Sequence, residues 1–338
     1  MKRYLQTLAF FVVVMTFLPL VISAAINRGD ESITPQESEK MTEESAELSK
    51  PPAPSPTTEY TVFVNSTGET VTLDLEELTT RVLYAEMPAS FNIEALKAQA
   101  VAIRSFILYS TAHPQDDNPH PNADICTDYA HCVAYRTYEE AVEAYGVVTA
   151  DDTYCVMVEA VAATKGEYIT YDSEPINAVF HGASFGQTES CKNIWGADVP
   201  YLQSVETPES GDEFKEKKSL LPSELKSLLE PLGVEFTYNP ADWVGDITKN
   251  QSGRVDSLLV CGSSISGKQL RTLLSLRSTN FTVEFVNGYF TFSTVGYGHG
   301  VGLSQYGADL LADDGCSYRY ILNHYYPNTT IASIYPTA

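Results

Sequence analysis

The chain has 338 residues and a formal net charge of -23, from 44 acidic and 21 basic side chains. This length is sufficient for two lobes, each with a hydrophobic core. The excess of negative charge argues against binding to nucleic acid and against docking on an anionic membrane surface.

The N-terminal 26 residues predict a membrane-spanning segment. Lys2 and Arg3 precede an almost uninterrupted apolar run over residues 5–26, and about 20 apolar residues of helix cross a bilayer. We therefore predict a transmembrane anchor or signal over residues 1–26. The basic flank places the N-terminus inside and the globular part outside the cytoplasm. A cleaved signal peptide is the alternative, because Ser23-Ala24-Ala25 resembles a cleavage site, but the long apolar run favours a retained anchor.

Residues 27–59 predict a disordered acidic linker. They are rich in Glu, Ser, Thr and Pro and contain almost no large apolar side chains. Such a segment cannot bury enough apolar area to offset its loss of conformational entropy on folding. We expect it to act as a tether that lets the folded part reach a target away from the membrane.

Two helical patterns meet around Glu86. Apolar residues recur at helical spacing on both sides of it, at Leu75, Leu78, Val82 and Leu83 and then at Ile93, Leu96, Ala100, Val101, Ile107 and Leu108. Pro88 disfavours helix at Met87, so Glu86 is predicted near the end of the first helix, and Asn92 is a candidate N-cap of the second. The negative end of a helix should raise the pKa of Glu86. A glutamic acid that keeps its proton near neutrality can act as a general acid, whereas a solvated surface group is the alternative.

Two histidines and two cysteines lie close together in one predicted loop. They are His120, Cys126, His131 and Cys132. Two thiolates and two imidazoles suit tetrahedral zinc, and four protein ligands would make the site structural, since no position remains for water. A disulfide between Cys126 and Cys132 is the alternative outside the cytoplasm. The spacing assigns no role to the other cysteines, Cys155, Cys191, Cys261 and Cys316.

Two polar segments rich in small residues are candidate binding sites. The first glycine segment, residues 181–189, follows a predicted strand over residues 176–180, and the second glycine segment covers residues 296–308. Small residues let the backbone approach a ligand, while amides and aromatic faces suit a sugar. The candidate substrate-binding residues are His181, Ser184, Gln187, Thr188, His299, Gln305 and Tyr306.

Other interpretations of the glycine segments remain open. They are equally typical of turns packed tightly against a sheet, in which His181 and His299 would be core histidines bonded to backbone. The pattern lacks the lysine of a phosphate loop. A serine protease built from Ser184 and His299 is disfavoured because Ser184 does not lie in a Gly-x-Ser-x-Gly elbow.

Several long motifs, in this order, together resemble the stage II sporulation protein D family. They are Glu86-Met87-Pro88-Ala89-Ser90-Phe91, residues 94–102, the two glycine segments with residues 267–271 and 276–278 between them, and residues 321–327. The resemblance covers nearly everything from about residue 60 to the C-terminus.

The resemblance implies a peptidoglycan lytic transglycosylase that acts when a mother cell engulfs its forespore. Such an enzyme cleaves the glycan strand between N-acetylmuramic acid and N-acetylglucosamine and leaves a 1,6-anhydro end. The family pattern implies Glu86 as the catalytic acid and His120, Cys126, His131 and Cys132 as ligands of a structural zinc ion. Implied partners are the glycan strands, a peptidoglycan amidase and a membrane scaffold of the engulfment machinery. The implied location is the mother-cell membrane, with a single membrane span.

Two other functions remain open at this point. Because related proteins are described as amidase enhancers, the chain could bind glycan without cleaving it. An ordinary muramidase that uses water would need a second carboxylate, for which Glu94, Glu159 and Glu189 are candidates.

The predicted fold class is α+β, a two-lobed ectodomain with a glycan groove. Helices are predicted within residues 75–110 and 139–145, followed by strands such as residues 257–260, 281–286 and 289–292, with turns at Ser252-Gly253, Gly262, Gly267 and Asn287-Gly288. We expect a catalytic core from residues 60–205 and 296–338. Residues 206–295 would form an inserted second lobe, with the groove between the two lobes.

Overall fold

The computed structural model describes residues 59–114, 120, 122–129 and 131–335. The predicted anchor over residues 1–26 lies outside this range, as does the predicted linker except for Glu59. Within the described residues, no helix has the length and apolar content needed to cross a membrane.

The first described elements place Glu86 at the end of a helix. Strands β1 (Glu59–Val64) and β2 (Glu69–Asp74) form an antiparallel hairpin that leads directly into helix α1 (Leu75–Glu86). The Asp74 side chain caps α1 by accepting hydrogen bonds from the first backbone N–H groups. Met87 is extended, with φ -126°, as expected for a residue before proline. The predicted end of the helix at Glu86 is therefore confirmed.

Helix α2 (Ile93–Ala112) is the central helix of the fold. It is capped as predicted, since the Asn92 side chain accepts a hydrogen bond from the Glu94 N–H at 3.1 Å. Small and apolar residues cover most of its surface and are buried. Because they present little bulk, α1 and three helices from later in the chain pack closely against α2.

The remaining helices and strands follow in chain order. They are β3 (Ile125–Cys126), α3 (Tyr138–Tyr145), α4 (Val147–Ala163), β4 (Glu167–Tyr171), β5 (Glu174–Pro175), β6 (Phe180–His181), β7 (Gly186–Gln187), α5 (Cys191–Trp195), β8 (Glu206–Thr207), β9 (Lys215–Leu220), α6 (Pro222–Leu229), β10 (Val244–Lys249), β11 (Val255–Val260), β12 (Ser263–Ser266), α7 (Gly267–Leu273), β13 (Phe281–Val286), β14 (Tyr289–Val295), β15 (Leu303–Ser304), α8 (Gln305–Asp313), α9 (Tyr318–Tyr325) and β16 (Thr330–Ser333). The mixed helix and strand content agrees with the predicted fold class.

The strands form small sheets rather than one large one. Their orders are β2-β1-β3, β10-β11-β12, β13-β14-β9, β16-β4-β5, β6-β15 and β7-β8. The parallel pair β6-β15 is the one that positions the site, because it places Ser304 opposite His181. This pairing brings the two glycine segments side by side, although more than one hundred residues separate them in sequence.

Buried apolar side chains form two clusters. The first contains residues from β1 through Leu202 and from Val301 onward, and the second lies entirely within residues 220–292. All described residues nevertheless belong to one compact unit. The division into a catalytic core and an inserted lobe, with a groove between them, stays a prediction.

The structure departs from the local predictions at two places. Of the strand predicted over residues 176–180, only Phe180 lies in a strand, β6, because Ala178 N–H bonds to the Ile176 carbonyl and Val179 N–H to the Asn177 carbonyl, which forms tight turns instead. The long helix α4 lacks a sequence-based prediction. By contrast, the turn predicted at Asn287-Gly288 is present, with φ values of 53° and 83°.

Candidate functional site

Two donors from distant parts of the chain hold the Glu86 side chain. The Ala134 N–H donates to Oε1 at 3.1 Å, and the Gln305 amide Nε2 donates to Oε2 at 3.4 Å. Glu86 is half-buried, and Gln305, a predicted substrate-binding residue, is buried. The structure therefore brings the predicted acid and one predicted binding residue into direct contact.

Burial raises the pKa of Glu86 above its ordinary value of 4.5. Taking the carboxyl group away from water disfavours its charged form. The hydrogen bonds from Ala134 and Gln305 favour the charged form and act in the opposite direction. The direction agrees with the prediction from sequence, but the largest cause is desolvation rather than the end of helix α1.

His181, Ser184 and His299 form a second group. His181 Nδ1 donates to the Val301 carbonyl at 3.1 Å, since a carbonyl oxygen can only accept, and its Nε2 accepts from the Ser184 hydroxyl at 2.5 Å. Burial lowers the pKa of His181 well below 6.5, so the ring is neutral. The predicted alternative of core histidines bonded to backbone describes His181 well.

The geometry around Ser184 argues against a serine nucleophile. Ser184 is fully buried and its hydroxyl contacts His181 rather than His299. The second ring nitrogen of His181 faces a backbone carbonyl, where a protease would place a carboxylate.

His299 lies at the edge of this group. Its ring centroid is 5.6 Å from that of His181 and 5.3 Å from that of Trp195. Its Nδ1 accepts the Val301 N–H at 3.1 Å. Burial, followed by the positive charge of Arg271, lowers the pKa of His299 to about 4. Trp195, which no sequence motif indicated, presents 46% of its surface to solvent beside this ring.

The remaining predicted binding residues lie in three different settings. Thr188 is buried and bonded to the Val205 backbone, which gives it a structural contact. Tyr306 is exposed and packs edge-on against Phe91, with ring centroids 4.9 Å apart. The Gln187 amide donates to the Gln251 carbonyl at 3.1 Å.

Gln187 also lines a cavity of about 680 Å³. Phe185, Thr207, Ser252 and His324 contribute to the same wall, and Glu86 is not among the lining residues of this cavity. Amide, hydroxyl and aromatic groups therefore meet on a surface separate from the immediate surroundings of Glu86.

Buried charges beneath the glycine segments were not predicted from sequence. Arg254 and Glu189 are both fully buried and pair at 3.8 Å, and the Arg254 Nη2 donates to the Ser184 hydroxyl at 3.3 Å. Glu209, which is also buried, accepts the Ser184 N–H at 3.1 Å. These charges join the first glycine segment to residues between the two segments.

Glycines in the second segment make room for the protein's own atoms. At Gly300, with φ +87°, a side-chain carbon would lie 2.4 Å from Arg254 Nη2, and at Gly302 it would lie 2.0 Å from the Val179 carbonyl oxygen. These two positions therefore match the alternative interpretation, a turn packed tightly against its neighbours.

None of the three candidate second carboxylates contacts Glu86 among the described hydrogen bonds and ion pairs. Glu94 pairs with Lys97 at 2.7 Å, which lowers the pKa of Glu94 against the opposing effect of desolvation. Glu159 is exposed on α4, and Glu189 is engaged by Arg254.

The histidine and cysteine side chains of the predicted metal site converge. One ligand atom from each of His120, Cys126, His131 and Cys132 lies within 4.8 Å of all the others. His120 Nε2 and His131 Nδ1 lie 3.3 Å and 3.1 Å from Cys132 Sγ. His120 Nδ1 bonds to the Ala123 carbonyl at 3.0 Å, which directs Nε2 toward the cluster. All six cysteines, each within the described residues, are free thiols.

Comparisons with known proteins agree with these motifs. A family model described as Stage II sporulation protein matches residues 64–171. Stage II sporulation protein D of Bacillus subtilis (strain 168) is 30% identical over 338 residues, covering 98% of this chain and 96% of that protein. The protein of the same name from Bacillus amyloliquefaciens is 34% identical over 275 residues, covering 80% of this chain and 78% of that protein.

A more distant relative carries a different name. The amidase enhancer of Bacillus subtilis (strain 168) is 27% identical over 307 residues, which covers 75% of this chain and 40% of that protein. The stronger similarity, to the first Bacillus subtilis protein, extends over almost the whole of both chains. This chain therefore belongs to the stage II sporulation protein D family.

Proposed function

We propose that this chain is a lytic transglycosylase that cleaves peptidoglycan glycan strands during engulfment in sporulation. Membership of a sporulation family supports the biological setting. The observation that carries the chemistry is the carboxyl group of Glu86, half-buried, with a raised pKa and a hydrogen-bond donor at each oxygen.

In the first step, protonated Glu86 donates its proton to the glycosidic oxygen. The bond between carbon 1 of N-acetylmuramic acid and that oxygen breaks, and positive charge develops at carbon 1. Glu86 is left as a carboxylate. The Ala134 N–H and the Gln305 amide then stabilise it, because both favour the charged form.

In the second step, the carboxylate of Glu86 takes the proton from the hydroxyl on carbon 6 of the same sugar. The hydroxyl oxygen attacks carbon 1 and closes the 1,6-anhydro ring, and Glu86 is again protonated. Since the nucleophile belongs to the substrate, its effective concentration is high and no water is consumed. One carboxyl group is then sufficient, which fits the absence of a second carboxylate among the described contacts of Glu86.

Exposed and half-buried side chains near the glycine segments would hold the glycan. Tyr306 offers an aromatic face two residues from Ser304, and His299 is neutral near pH 7 because of its lowered pKa. Gln187 would bind from the wall of the cavity it lines. We propose that the glycan strand lies in a groove between the catalytic core and the inserted lobe.

Replacement of Glu86 by Gln tests the enzymatic proposal. Glu86→Gln keeps the shape but removes the proton donor, so we expect release of anhydro-ended products from purified sacculi to fall by about 10²- to 10⁴-fold. Glu143→Gln, a change at an exposed glutamate, is the matched control. Unchanged release by a folded Glu86→Gln variant would contradict the role of Glu86.

The same product analysis separates the competing functions. The amidase-enhancer relative favours a second candidate, a protein that binds glycan and promotes an amidase without cleaving strands itself. Mass spectrometry would then find no new glycan ends without added amidase, whereas a muramidase that uses water would give reducing ends.

We also propose that His120, Cys126, His131 and Cys132 bind a structural zinc ion. The donor set suits zinc, the ligand atoms lie within 4.8 Å of one another, and His131 Nδ1 and Cys132 Sγ are already adjacent. With four protein ligands the ion takes no part in bond cleavage. It would instead fix the loop that runs from His120 to Cys132. Ala134, which donates its N–H to Glu86, follows this loop by two residues.

The location and partners are proposed on the sequence pattern and the family. We place a single membrane span within residues 1–26 and the globular part outside the cytoplasm, in the mother-cell membrane that faces the forespore. Glycan strands, a peptidoglycan amidase and a membrane scaffold of the engulfment machinery are the proposed partners. Protease digestion of intact cells, which should remove the globular part only if it is outside, checks the orientation.

A further inference from the structure

Glu209 is a fully buried carboxylate outside the predicted site. It presents 1% of its surface to solvent. Its Oε1 accepts the Ser184 N–H at 3.1 Å and the Ser304 hydroxyl, and its Oε2 accepts the Thr207 hydroxyl. Burying a carboxylate is unfavourable unless donors of this kind replace water. The residues that supply the donors are therefore fixed relative to one another.

Two of these donors belong to the glycine segments. Ser184 lies in the first segment, and Ser304 lies in the second, opposite His181 in the β6-β15 pair. Thr207 Oγ1 is also 2.8 Å from the Tyr325 hydroxyl in α9. One carboxylate thus joins both segments to α9, a helix of the first hydrophobic cluster.

The hydrogen bond between Ser304 and Glu209 lies at the start of helix α8. Ser304 occupies the N-cap position of α8, where a serine side chain usually accepts a hydrogen bond from the helix backbone. Here the Ser304 side chain makes no cap hydrogen bond and donates to Glu209 instead, with a longer contact of 3.4 Å to the Gly182 carbonyl. The start of α8 is therefore held by Glu209 through Ser304 and by the Gly182 carbonyl, which accepts the Tyr306 N–H at 3.0 Å, rather than capped by its own serine.

The first residue of α8 is Gln305, which contacts Glu86. We propose that Glu209 is a positioning residue, which holds the start of α8 through Ser304 so that the Gln305 amide stays against the Glu86 carboxyl. The contact distance of 3.4 Å is already long for a hydrogen bond. A small displacement of the backbone at Ser304 would therefore break it.

The charged groups near Glu209 do not contribute directly to the pKa of Glu86. Arg254, paired with Glu189, provides the positive charge near Glu209. For Glu86, the contributions to the pKa come from burial and from the donors Ala134 and Gln305. A change at Glu209 would therefore reach Glu86 mainly through the Gln305 amide.

The test compares the titration of Glu86 in three variants. Glu209→Ala, Ser304→Ala and Gln305→Ala each remove one link of the path. Losing the Gln305 donor disfavours the carboxylate, so we expect each variant to raise the pKa of Glu86, by about 0.5 to 1 unit. The titration is measured by carbon-13 NMR of labelled glutamate carboxyls, with Glu86→Gln identifying the signal. Glu230→Ala, at an exposed glutamate, is the control and should leave the titration unchanged.

Combined variants show whether Glu209 acts on Glu86 through Ser304 and Gln305 or whether its loss disturbs the packing of the whole region. Because the three residues act in series, Glu209→Ala combined with Gln305→Ala should shift the titration no further than Gln305→Ala alone. Glu209→Gln retains an oxygen acceptor for Ser184 and Ser304 and should restore the wild-type titration. Additive shifts, or no shift in Ser304→Ala, would overturn the proposal.

Two features keep the outcome decisive. If Glu209→Ala does not fold, Ser304→Ala removes only one hydroxyl and carries the test. A second measurement, the release of anhydro-ended products as a function of pH, rests on the proposed function. In the same variants the basic limb of this pH–rate profile should move to higher pH. If the wild-type protein releases no anhydro products, the proposed function fails, while the NMR titration still decides the role of Glu209.

Discussion

His299 is a half-buried histidine whose imidazole is kept neutral by burial and by the nearby positive charge of Arg271. Unfolding would return its pKa from about 4 to its ordinary value of 6.5. Between these values the unfolded state binds more protons than the folded state, so the free energy of unfolding rises with pH. The stabilisation is complete above pH 6.5 and is lost as pH falls toward 4.

Replacing His299 by Gln should flatten this dependence. We expect the wild-type free energy of unfolding to fall by up to about 3 kcal/mol more than that of His299→Gln between pH 6.5 and pH 4. Urea unfolding at several pH values measures the difference. Replacement of the exposed His113 in the same way is the control. Parallel curves for wild type and His299→Gln would show that His299 titrates normally in the folded protein.

Local sequence signals were sufficient to place Glu86 but not to find its partners. Pro88 and Asn92 set the ends of two helices, and both signals act within a few residues. The contact between Gln305 and Glu86 joins residues 219 positions apart. No periodicity predicts such a contact, and only the glycine and amide content of its segment indicates Gln305 as a binding residue.

At the scale of elements, the loop that contains the predicted zinc ligands also supports Glu86. Strand β3 contains the ligand Cys126 and pairs with β1, which fixes the middle of this loop, while Ala134 follows the last ligand, Cys132, by two residues. A metal ion that holds the four ligands together would therefore also hold the Ala134 N–H in place.

Removing the metal should release that N–H group. We expect the purified protein to contain about one zinc ion per chain and Cys132→Ser to contain little. In Cys132→Ser the Ala134 amide should exchange with solvent at least about tenfold faster. Metal analysis and hydrogen exchange measure the two effects. Cys155→Ser, at an exposed cysteine, is the control. A zinc-free wild-type protein with a protected Ala134 amide would refute the proposal.

The sequence failed to predict α4 for a physical reason. The helix begins with Val147, Val148 and Thr149, which are β-branched and have low helix propensity. It lacks a side-chain N-cap as well, since Gly146 precedes it. Packing of its buried residues against α2 therefore stabilises a helix that local preference does not favour.

At the scale of the whole molecule, Arg254 joins distant parts of the chain. It follows β10 in the region of the second hydrophobic cluster, yet it pairs with Glu189 and bonds to Ser184 in the first glycine segment. Gly300 from the second glycine segment lies directly against its guanidinium group.

Gly300→Ala should therefore be costly. The added carbon would lie 2.4 Å from Arg254 Nη2, and a buried, bonded guanidinium cannot move aside freely. We expect the free energy of unfolding to fall by about 2–4 kcal/mol from strain and overpacking together. Gly233→Ala has a similar φ, +81°, but open space around it. It should lose only about 1 kcal/mol, and equal losses in urea unfolding would remove Arg254 as the cause.

Composition and pattern predicted the mixed fold class and the family motifs, but not the buried charges. Arg254, Glu189 and Glu209 are residue types that usually lie on the surface. Their burial depends on partners from several segments, so the chain carries no local signal for it. The glycines of the second glycine segment were a partial signal, because each lies close to other atoms of the protein, although the sequence does not show which atoms these are.

The tight packing of the second glycine segment limits what variation at this site can achieve. A side chain at Gly307 would lie 2.2 Å from the Tyr325 hydroxyl and 2.4 Å from the Thr207 hydroxyl. A mutant library directed at Gly300, Gly302 and Gly307 would therefore yield mostly misfolded protein. Laboratory selection for an altered preference toward the proposed glycan should begin instead at Trp195 and Tyr306, whose rings reach solvent.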